Sequence, residues 1–309
     1  MQALVSIIMA TYNRADLIGE TLDSLLNQQF TNWECLIIDD WSTDNTQEVL
    51  LPYLKDNRIK YHKRGEAHAK GCPGARNYGL GKAEGKYILF FDDDDIAHPE
   101  LLKLCVDELE SKDFDFCRFK RGVFSDSREV GFDQKSLYNS FLIDKSDLEA
   151  VITNKIPFNS CQILWKKKCF LDDNQFNEKI LYSDDWECYS RLLSGGLKGI
   201  SIDKILLHAR KHNDSSTAKF KKGDNKIIAS TRLASLEVLD NLGKKGLITP
   251  ILFNLFVRRA LILNEKKILE KLLSYTKADL FIKTKYQLGF YFYPVLRPIF
   301  ILKGKLLSR

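Results

Sequence analysis

A short apolar run that ends in four consecutive carboxylates constrains this chain more than any other stretch. Residues 87–91 (YILFF) are apolar or aromatic, and Asp92, Asp93, Asp94 and Asp95 follow them directly. A continuous apolar run of this length is typical of a strand buried on both faces of a parallel sheet. Four acidic side chains cannot belong to the core. They therefore mark the carboxyl end of the strand, where α/β sheets open onto a ligand crevice.

Adjacent carboxylates raise one another's pKa, and a divalent cation that prefers oxygen ligands keeps such groups ionised. Mg²⁺ and Mn²⁺ are the usual ions of this kind. The alternative is a solvated acidic turn that leads into a helix beginning at Pro99. The ligand site is the favoured interpretation, because a solvated turn does not require so apolar a strand before it.

The remainder of residues 1–220 alternates between strand and helix patterns. Strands are predicted at residues 5–10, 35–38, 59–61, 87–91, 114–119, 161–165 and 205–209, and helices at 17–26, 46–54, 75–79, 99–111 and from 184 onward. Residues 121–145 are irregular and polar and predict a long loop. This alternation predicts an α/β fold with βαβ units and a mostly parallel, Rossmann-like sheet flanked by helices.

Polar side chains follow three of the predicted strands, namely residues 11–13, Asp39 with Asp40, and residues 92–95. Because the carboxyl ends of parallel strands share one edge, these groups predict a nucleotide-sized crevice lined with hydroxyls and carboxylates. No GxGxxG segment follows the first strand and no GxxxxGK[ST] segment occurs in the sequence. Dinucleotide and P-loop sites are therefore disfavoured.

Two further polar groups leave alternatives open. Asp184 and Asp185 precede a helical pattern, where the helix dipole favours carboxylates, so a cap pair is as good an interpretation as a functional site. His212 follows Arg210 and Lys211. A lone histidine beside two cationic residues is more often a surface residue.

The net charge of +6 conceals an asymmetry along the chain. Residues 221–309 contain 18 Lys or Arg against 6 Asp or Glu, a net charge of +12, which leaves −6 for residues 1–220. The seven cysteines form no CxxC pair, which predicts reduced thiols, and the first residues do not form a signal peptide. We therefore expect a cytoplasmic protein with two regions that have different partners.

The basic region reads as helices at residues 227–242, 250–263 and 268–273, followed by an aromatic and basic segment at 277–309. Its longest uncharged run, residues 286–296, has 11 residues and contains Pro294. A bilayer core of about 30 Å requires a longer run. The segment suits the surface of an anionic membrane. The alternative is a set of helices packed on the first domain with a solvated basic face.

Taken together, these motifs resemble the family-2 glycosyltransferases of bacterial surface-polysaccharide and O-antigen synthesis. Four motifs in register over about residues 3–220 carry the resemblance: VSIIMATYNR at 5–14, DDWSTD at 39–44, GARNYG at 74–79 and FFDDDD at 90–95. The resemblance implies the A-type glycosyltransferase fold, with a catalytic domain at residues 1–220 and a basic helical region at 221–309.

By position, the resemblance also implies roles for individual residues. Asp185 matches the second acid of a Glu-Asp pair and is the implied catalytic base. The implied diphosphate contacts are Arg210 and His212. The implied metal ligands, for Mn²⁺ or Mg²⁺, are Asp94, Asp95 and His212. The implied nucleotide-binding residues are Thr11, Tyr12, Asn13, Arg14, Asp39, Arg76, Asp92, Asp93 and Asp94.

Three positions depart from the family pattern. Trp41 replaces the usual Gly of an Asp-Asp-Gly-Ser motif, which predicts a differently shaped turn. Asp184 stands where Glu is commoner, and Ala209 replaces the aromatic residue before Arg210. No Gln-x-x-Arg-Trp segment follows Asp185, which favours transfer of a single sugar over processive synthesis.

The resemblance therefore implies an inverting enzyme that moves one sugar from a nucleotide-diphosphate sugar to a hydroxyl of a glycan acceptor. The expected donor is a UDP-sugar, because this is the common donor in the family. We expect a lipid-linked acceptor, a peripheral position on the inner face of the cytoplasmic membrane through the C-terminal region, and no nucleic-acid partner. Two other classes remain open: a non-catalytic nucleotide-sugar-binding subunit of a polysaccharide assembly complex, and a nucleotidyltransferase.

Overall fold

A computed structural model of the chain describes residues 3–125, 130–134, 137–171, 174–211, 216–276 and 278–307. The chain divides into two compact units, Met1–Ile227 and Ile228–Arg309. The boundary lies a few residues beyond the predicted one at residue 220. The assignment of catalysis to the first region and of membrane association to the second stays a prediction.

Unit 1 is built on one sheet, in which the described residues form nine strands. They are β1 (Val5–Thr11), β2 (Trp33–Asp39), β3 (Ile59–Lys63), β4 (Tyr87–Asp92), β5 (Ile96–Ala97), β6 (Phe116–Phe124), β7 (Ser140–Ile143), β8 (Ile163–Lys166) and β9 (Gly199–Arg210). The order is β3-β2-β1-β4-β8-β6-β9-β5, and β7 pairs with β9.

The half of the sheet formed by β1 to β4 is parallel throughout. Beyond β4 it becomes mixed, because β8 runs antiparallel to both β4 and β6, and β5 and β7 run antiparallel to β9. The α/β fold class with a Rossmann-like sheet is confirmed. Thr11 pairs with Asp39, and Ala10 pairs with Asp92, so the carboxyl ends of β1, β2 and β4 lie level with one another.

Seven helices are described in unit 1: α1 (Ile18–Leu26), α2 (Thr46–Leu50), α3 (Cys72–Lys82), α4 (Leu101–Ser111), α5 (Leu148–Ile152), α6 (Asp184–Ser194) and α7 (Ser216–Lys221). Helix α3 lies very close to the sheet, since a Cβ added to Gly79 would come within 2.5 Å of Ile8 Cγ2. Helix α2 is shorter than predicted, because the chain tightens into a 3₁₀ turn at Tyr53–Lys55 after Pro52.

The prediction of a loop across residues 121–145 is wrong at both ends. Strand β6 continues to Phe124, and β7 pairs with Ile200 and its neighbours on β9. These strand segments are largely exposed and carry polar residues such as Lys120 and Arg121. Backbone pairing with β9 holds them in place although most of their residues are exposed, so their side chains lack the alternation of apolar and polar residues from which strands are recognised.

Unit 2 consists of helices, with α8 (Asn225–Lys244) leading into α9 (Pro250–Ile262), α10 (Lys266–Tyr275) and α11 (Leu280–Leu307). The Thr249 side chain caps α9 by accepting a hydrogen bond from the Leu252 N–H, and Pro250 occupies the first turn. The aromatic and basic segment predicted at 277–309 lies largely in α11. No helix in the described ranges has the length and apolarity needed to cross a membrane.

Candidate active site

The first group of predicted site residues lies in and beside the turn after β2. Asp39 is buried, and its Oδ1 accepts hydrogen bonds from the N–H (2.9 Å) and the hydroxyl (2.5 Å) of Ser42. Its Oδ2 accepts a hydrogen bond of 2.7 Å from the Tyr61 hydroxyl at the end of β3. Burial and this carboxylate raise the pKa of Tyr61. The carboxylate of Asp39 is thereby held in one orientation.

The loop after β1 is fastened to the same turn. The Asn13 N–H donates to Ser42 Oγ at 2.9 Å, and Asn13 Oδ1 accepts from the Thr43 N–H at 2.8 Å. Thr11 is buried, whereas Tyr12 is 42% exposed. Asn13 therefore joins the loop after β1 to the turn that begins with Asp39, and the roles predicted for residues 11–13 and Asp39 stay predictions.

Trp41 adopts φ 65°, in the left-handed region that favours glycine. The turn therefore keeps a left-handed residue at the position where the family pattern has glycine. For a residue with a Cβ this conformation costs about 1–2 kcal/mol.

The second group of predicted site residues is the acidic cluster after β4. The Cys161 thiol donates to Asp92 Oδ2 at 3.4 Å and to Asp95 Oδ2 at 3.3 Å. Burial raises the pKa of Asp95 well above its usual range, and the charges of Asp92 and Asp94 raise it further. Burial also raises the pKa of Asp93 to about 7, opposed by Arg14, whose Nε donates to Asp93 Oδ1 at 3.3 Å.

These acids could hold a metal ion. One potential ligand atom from each of Asp92, Asp95 and Cys161 lies within 4.8 Å of the other two. Two carboxylates suit Mg²⁺ or Mn²⁺, whereas the sulfur is a softer ligand. Burial raises the pKa of Asp95, and the charges of Asp92 and Asp94 add to the shift; a cation would relieve that repulsion, so the residues fit the ion that the family pattern implies.

Of the predicted metal ligands Asp94, Asp95 and His212, only Asp95 belongs to this cluster, and the roles of all three stay predictions. The cluster also contains Asp92, for which the resemblance implies a nucleotide contact. The carbonyl oxygen of Asp94 accepts a hydrogen bond of 3.2 Å from Arg210 Nε. His212 lies outside the described residues.

Arg76 connects the acidic cluster to the start of α6. Its Nη1 donates to Asp184 Oδ2 at 2.7 Å, and its Nη2 donates to Asp92 Oδ1 at 3.2 Å. The side chain is buried, and its guanidinium carbon lies 5.4 Å from the centre of the Phe176 ring. Asp184 is therefore engaged in a buried ion pair as well as beginning a helix.

Asp185 lies beside this ion pair. Its Oδ2 accepts a hydrogen bond of 3.1 Å from the Ser160 N–H, and its Oδ1 accepts one of 2.8 Å from the Trp186 N–H in the first helical turn. Burial and, to a smaller extent, the charge of Asp184 raise the pKa of Asp185 to about 6, while Arg76 opposes the shift. A carboxylate in this state can act as a proton acceptor near neutral pH.

Arg210 reaches the acidic cluster from the end of β9. Its backbone N–H donates to Asp95 Oδ1 at 3.1 Å, and its guanidinium forms an ion pair with Glu20. The guanidinium carbon lies 4.6 Å from the centre of the Phe124 ring. The sequence predicted Arg210 near the acids but gave no sign of Glu20 or Phe124 as its partners.

Sequence reasoning also missed Ser160 and Cys161, which touch Asp185 and the acidic cluster respectively. The stretch 161–165 was predicted as a strand. The chain instead forms a 3₁₀ turn at Ser160–Gln162 before β8 begins at Ile163. No motif marks these two residues, and only their position before an apolar strand could have drawn attention to them.

Comparison with known proteins decides the family. Residues 6–168 match the family described as "Glycosyl transferase family 2". The chain belongs to this family.

Curated relatives carry glycosyltransferase names. The chain is 37% identical over 142 residues to the Escherichia coli protein "UDP-Glc:alpha-D-GlcNAc-diphosphoundecaprenol beta-1,3-glucosyltransferase WfgD", covering 45% of this chain and 55% of that protein. WfaP of Escherichia coli is named for the same activity. The chain is 29% identical to it over 229 residues, which cover 71% of this chain and 82% of WfaP.

An "Uncharacterized glycosyltransferase" of Rickettsia bellii is 30% identical over 220 residues, which cover 70% of this chain and 30% of that protein. The chain thus spans between about a third and about half of the first two relatives it matches, WfgD and the Rickettsia bellii protein.

Solved structures share the fold. S. aureus TarS 1-349 in complex with UDP-GlcNAc aligns with a TM-score of 0.62 at 21% identity, covering 83% of this chain and 72% of TarS 1-349. The mannosyltransferase PcManGT of Pyrobaculum calidifontis, in complex with GDP-Man and Mn²⁺, aligns with a TM-score of 0.55 at 16% identity. The alignment covers 94% of this chain and 81% of PcManGT.

Proposed function

We propose that the chain is an inverting glycosyltransferase that moves one sugar from a nucleotide-diphosphate sugar to a hydroxyl of a glycan acceptor. The single observation that carries this proposal is the Arg76 bridge, which joins Asp92 at the end of β4 to Asp184 at the start of α6. It brings a candidate base, Asp185, beside acids suited to a cation, which is the pairing that sugar transfer from a diphosphate requires.

The proposed donor is a UDP-sugar. Two relatives are named for UDP-Glc, and TarS is described with UDP-GlcNAc. In this proposal the nucleotide lies across the carboxyl ends of β1, β2 and β4. Tyr12 and Asp39 would face the base. The hydrogen bond between Arg14 and Asp93 joins the loop after β1 to the acidic cluster after β4.

Asp92 and Asp95 would hold a divalent cation, with Asp94 and His212 as further proposed contacts. PcManGT is described with Mn²⁺, and carboxylate oxygens suit Mn²⁺ or Mg²⁺. When bound, such a cation supplies positive charge that stabilises a departing diphosphate. Arg210, which is fixed at the same cluster, would add a guanidinium for the diphosphate oxygens.

Asp185 is the proposed general base. It would accept the proton of the acceptor hydroxyl as that oxygen attacks the anomeric carbon from the face opposite the nucleotide. The Ser160 N–H fixes one carboxylate oxygen and so orients the group. A pKa near 6 keeps the group ionised at neutral pH while leaving it basic enough to take the proton.

The proposed acceptor is a lipid-linked glycan of surface polysaccharide or O-antigen synthesis. WfgD and WfaP are named for a diphosphoundecaprenol acceptor, which supports this choice. Helix α11 carries exposed apolar side chains, among them Phe281 and Phe292, in a strongly basic region. We propose that this helix places the enzyme on the inner face of the cytoplasmic membrane.

The test is a panel of nucleotide sugars assayed for hydrolysis and for thermal stabilisation, with Mn²⁺ and with EDTA. We expect Asp185→Asn to abolish transfer and to leave nucleotide binding intact. Asp107→Asn, an exposed acid paired with Lys103 on α4, is the matched control and should behave as wild type. Unchanged turnover in Asp185→Asn would remove that residue from the role of base. Binding without any turnover in the wild type would favour a non-catalytic subunit, and pyrophosphate release from a nucleoside triphosphate and a sugar phosphate would favour a nucleotidyltransferase.

A further inference from the structure

Trp41 presents an indole ring to solvent at the edge of the sheet where the nucleotide is proposed to bind. Trp41 is 43% exposed as a residue, whereas Trp33 and Trp165 are buried. It also holds φ 65°, which L-residues with bulky side chains rarely adopt. Backbone strain of this kind persists where the surroundings fix the conformation, and it is concentrated at ligand clamps and active sites.

The surroundings fix this turn without using the indole. Asp39 Oδ1 binds both the N–H and the hydroxyl of Ser42, and Ser42 Oγ accepts the Asn13 N–H. None of these hydrogen bonds involves the Trp41 side chain. The hydrogen bonds of the turn therefore give no reason for a large aromatic side chain at a position that glycine would fill with less strain.

The position of the ring indicates what it can contact. Lys63 is the register partner of Asp39, and its Nζ lies 5.4 Å from the centre of the Trp41 ring. Because Asp39 and Lys63 are the last residues of β2 and β3, the ring lies near the carboxyl ends of these two strands. Tyr12, after the neighbouring strand β1, is also exposed, and Lys70 Nζ lies 4.6 Å from its ring centre.

We propose that Trp41 is a donor-binding residue whose indole stacks against the nucleobase of the nucleoside diphosphate. This inference rests on the proposed function and adds to it a residue that the family pattern does not supply. An exposed indole offers a flat apolar face to a base, and base–aromatic stacking depends on the base and not on the phosphates. Loss of the ring should therefore weaken nucleotide binding and leave pyrophosphate binding unchanged.

The experiment uses the whole 309-residue chain with Trp41→Phe, Trp41→Ala and Trp41→Gly. UDP and inorganic pyrophosphate are titrated by calorimetry, GDP is titrated as a second nucleotide, and thermal unfolding is followed for each variant. We expect Trp41→Phe to bind UDP nearly as wild type, and the Ala and Gly variants to bind UDP about tenfold more weakly. Pyrophosphate should bind all four proteins equally.

Stability should follow a different order from binding. Glycine relieves the positive φ and alanine does not, so Trp41→Gly should unfold at a higher temperature than Trp41→Ala while binding UDP equally weakly. A ring that served only to shape the turn would instead make UDP binding follow stability.

Three results would overturn the inference without affecting the proposed function. The first is that Trp41→Ala and Trp41→Gly bind UDP with wild-type affinity, and the second is that these variants lose affinity for UDP and for pyrophosphate equally. The third is that Trp41→Gly recovers UDP affinity together with thermal stability. If the wild type itself binds neither UDP nor GDP, the nucleotide-sugar function is overturned and the inference with it.

Discussion

At the scale of single residues, the proposed chemistry depends on carboxyl groups whose pKa values are set by burial. Asp185 lies beside Asp184, and the second charge adds to the effect of burial on its pKa. A general base must be deprotonated to act, so the pKa of this group sets the acid limit of activity.

We expect kcat to fall below about pH 6, the value to which the pKa of Asp185 is raised. Asp184→Asn removes the neighbouring negative charge and leaves the opposing charge of Arg76, so it should move the acid limb to lower pH. The pH dependence of kcat for wild type and variant measures the shift. An acid limb at the same pH in both proteins would contradict the role of Asp184 in tuning Asp185.

Asp93 should make stability depend on pH in the opposite sense from a salt-bridged surface acid. Its folded pKa of about 7 lies above the unfolded value of about 3.9. Its contribution to the free energy of unfolding is therefore fully present below pH 4 and is lost as the pH rises through 7. Asp93→Asn should be more stable than wild type at pH 8, by up to about 4 kcal/mol, and should show no such gain at pH 4.

Denaturant unfolding at the two pH values measures this difference, in buffers without divalent cations. Asp113→Asn provides the control, because Asp113 is exposed and Lys166 lowers its pKa. A gain of stability at pH 8 in Asp113→Asn, or its absence in Asp93→Asn, would contradict the assignment.

The site could be predicted from the sequence where a residue is fixed by its place in a motif. Asp39, Arg76, Asp92 and Asp185 fall at or near the ends of elements that the sequence predicts, and Arg76 is hydrogen-bonded to Asp92 and to Asp184, the neighbour of Asp185. Ser160 and Cys161 could not be predicted in this way. They come within reach of the acids because β8 runs antiparallel beside β4, a pairing between residues distant in the chain.

At the scale of elements, the position of Arg76 depends on how closely α3 approaches the sheet. Gly79→Ala would place a Cβ 2.5 Å from Ile8 Cγ2 and 3.3 Å from Ile38 Cγ1. We expect a loss of about 1–3 kcal/mol in stability from this overpacking, together with weaker nucleotide binding as Arg76 is displaced.

Gly81→Ala in the same helix is the matched control. A Cβ at Gly81 meets no described atom within 4 Å, and alanine is the better helix former, so this variant should be as stable as wild type or more stable. Thermal unfolding and UDP titration compare the two variants. Equal effects of the two substitutions would show that close packing of α3 is not the cause.

Elements could be predicted where burial imposes a pattern. β1, β2 and β4 are buried on both faces, and their apolar runs place them within a residue or two of the observed bounds. The two-residue strand β5 and the exposed β7 carry no such pattern, because β9 holds them through backbone hydrogen bonds. Their pairing depends on the path of the chain and not on local composition.

At the scale of the whole molecule, charge is distributed unevenly between the two regions. The basic residues concentrate after residue 220, where α11 also exposes Leu280, Phe281, Tyr291 and Phe292. Apolar side chains together with basic ones bind anionic membranes, each near-surface Lys or Arg contributing about 1 kcal/mol.

We expect removal of residues 277–309 to shift the protein from the membrane to the soluble fraction. Sedimentation with phosphatidylglycerol vesicles should be lost in parallel, while phosphatidylcholine vesicles should bind the full chain only weakly at moderate salt. Thermal unfolding of the truncated chain serves as the control for folding. Sedimentation of the truncated protein equal to that of the full chain would mean that the segment packs within the protein and does not anchor it.

The Ser160–Cys161 dipeptide has a consequence for how such an enzyme changes over evolution. One residue holds the proposed base through its amide, and the next contacts the acids on the donor side through its thiol. In the proposed mechanism, activation of the incoming hydroxyl and departure of the nucleotide thus depend on two adjacent residues of the chain. Adaptation to a new acceptor through this segment would disturb donor handling at the same time, so diversification of acceptor preference is more easily reached through other parts of the crevice.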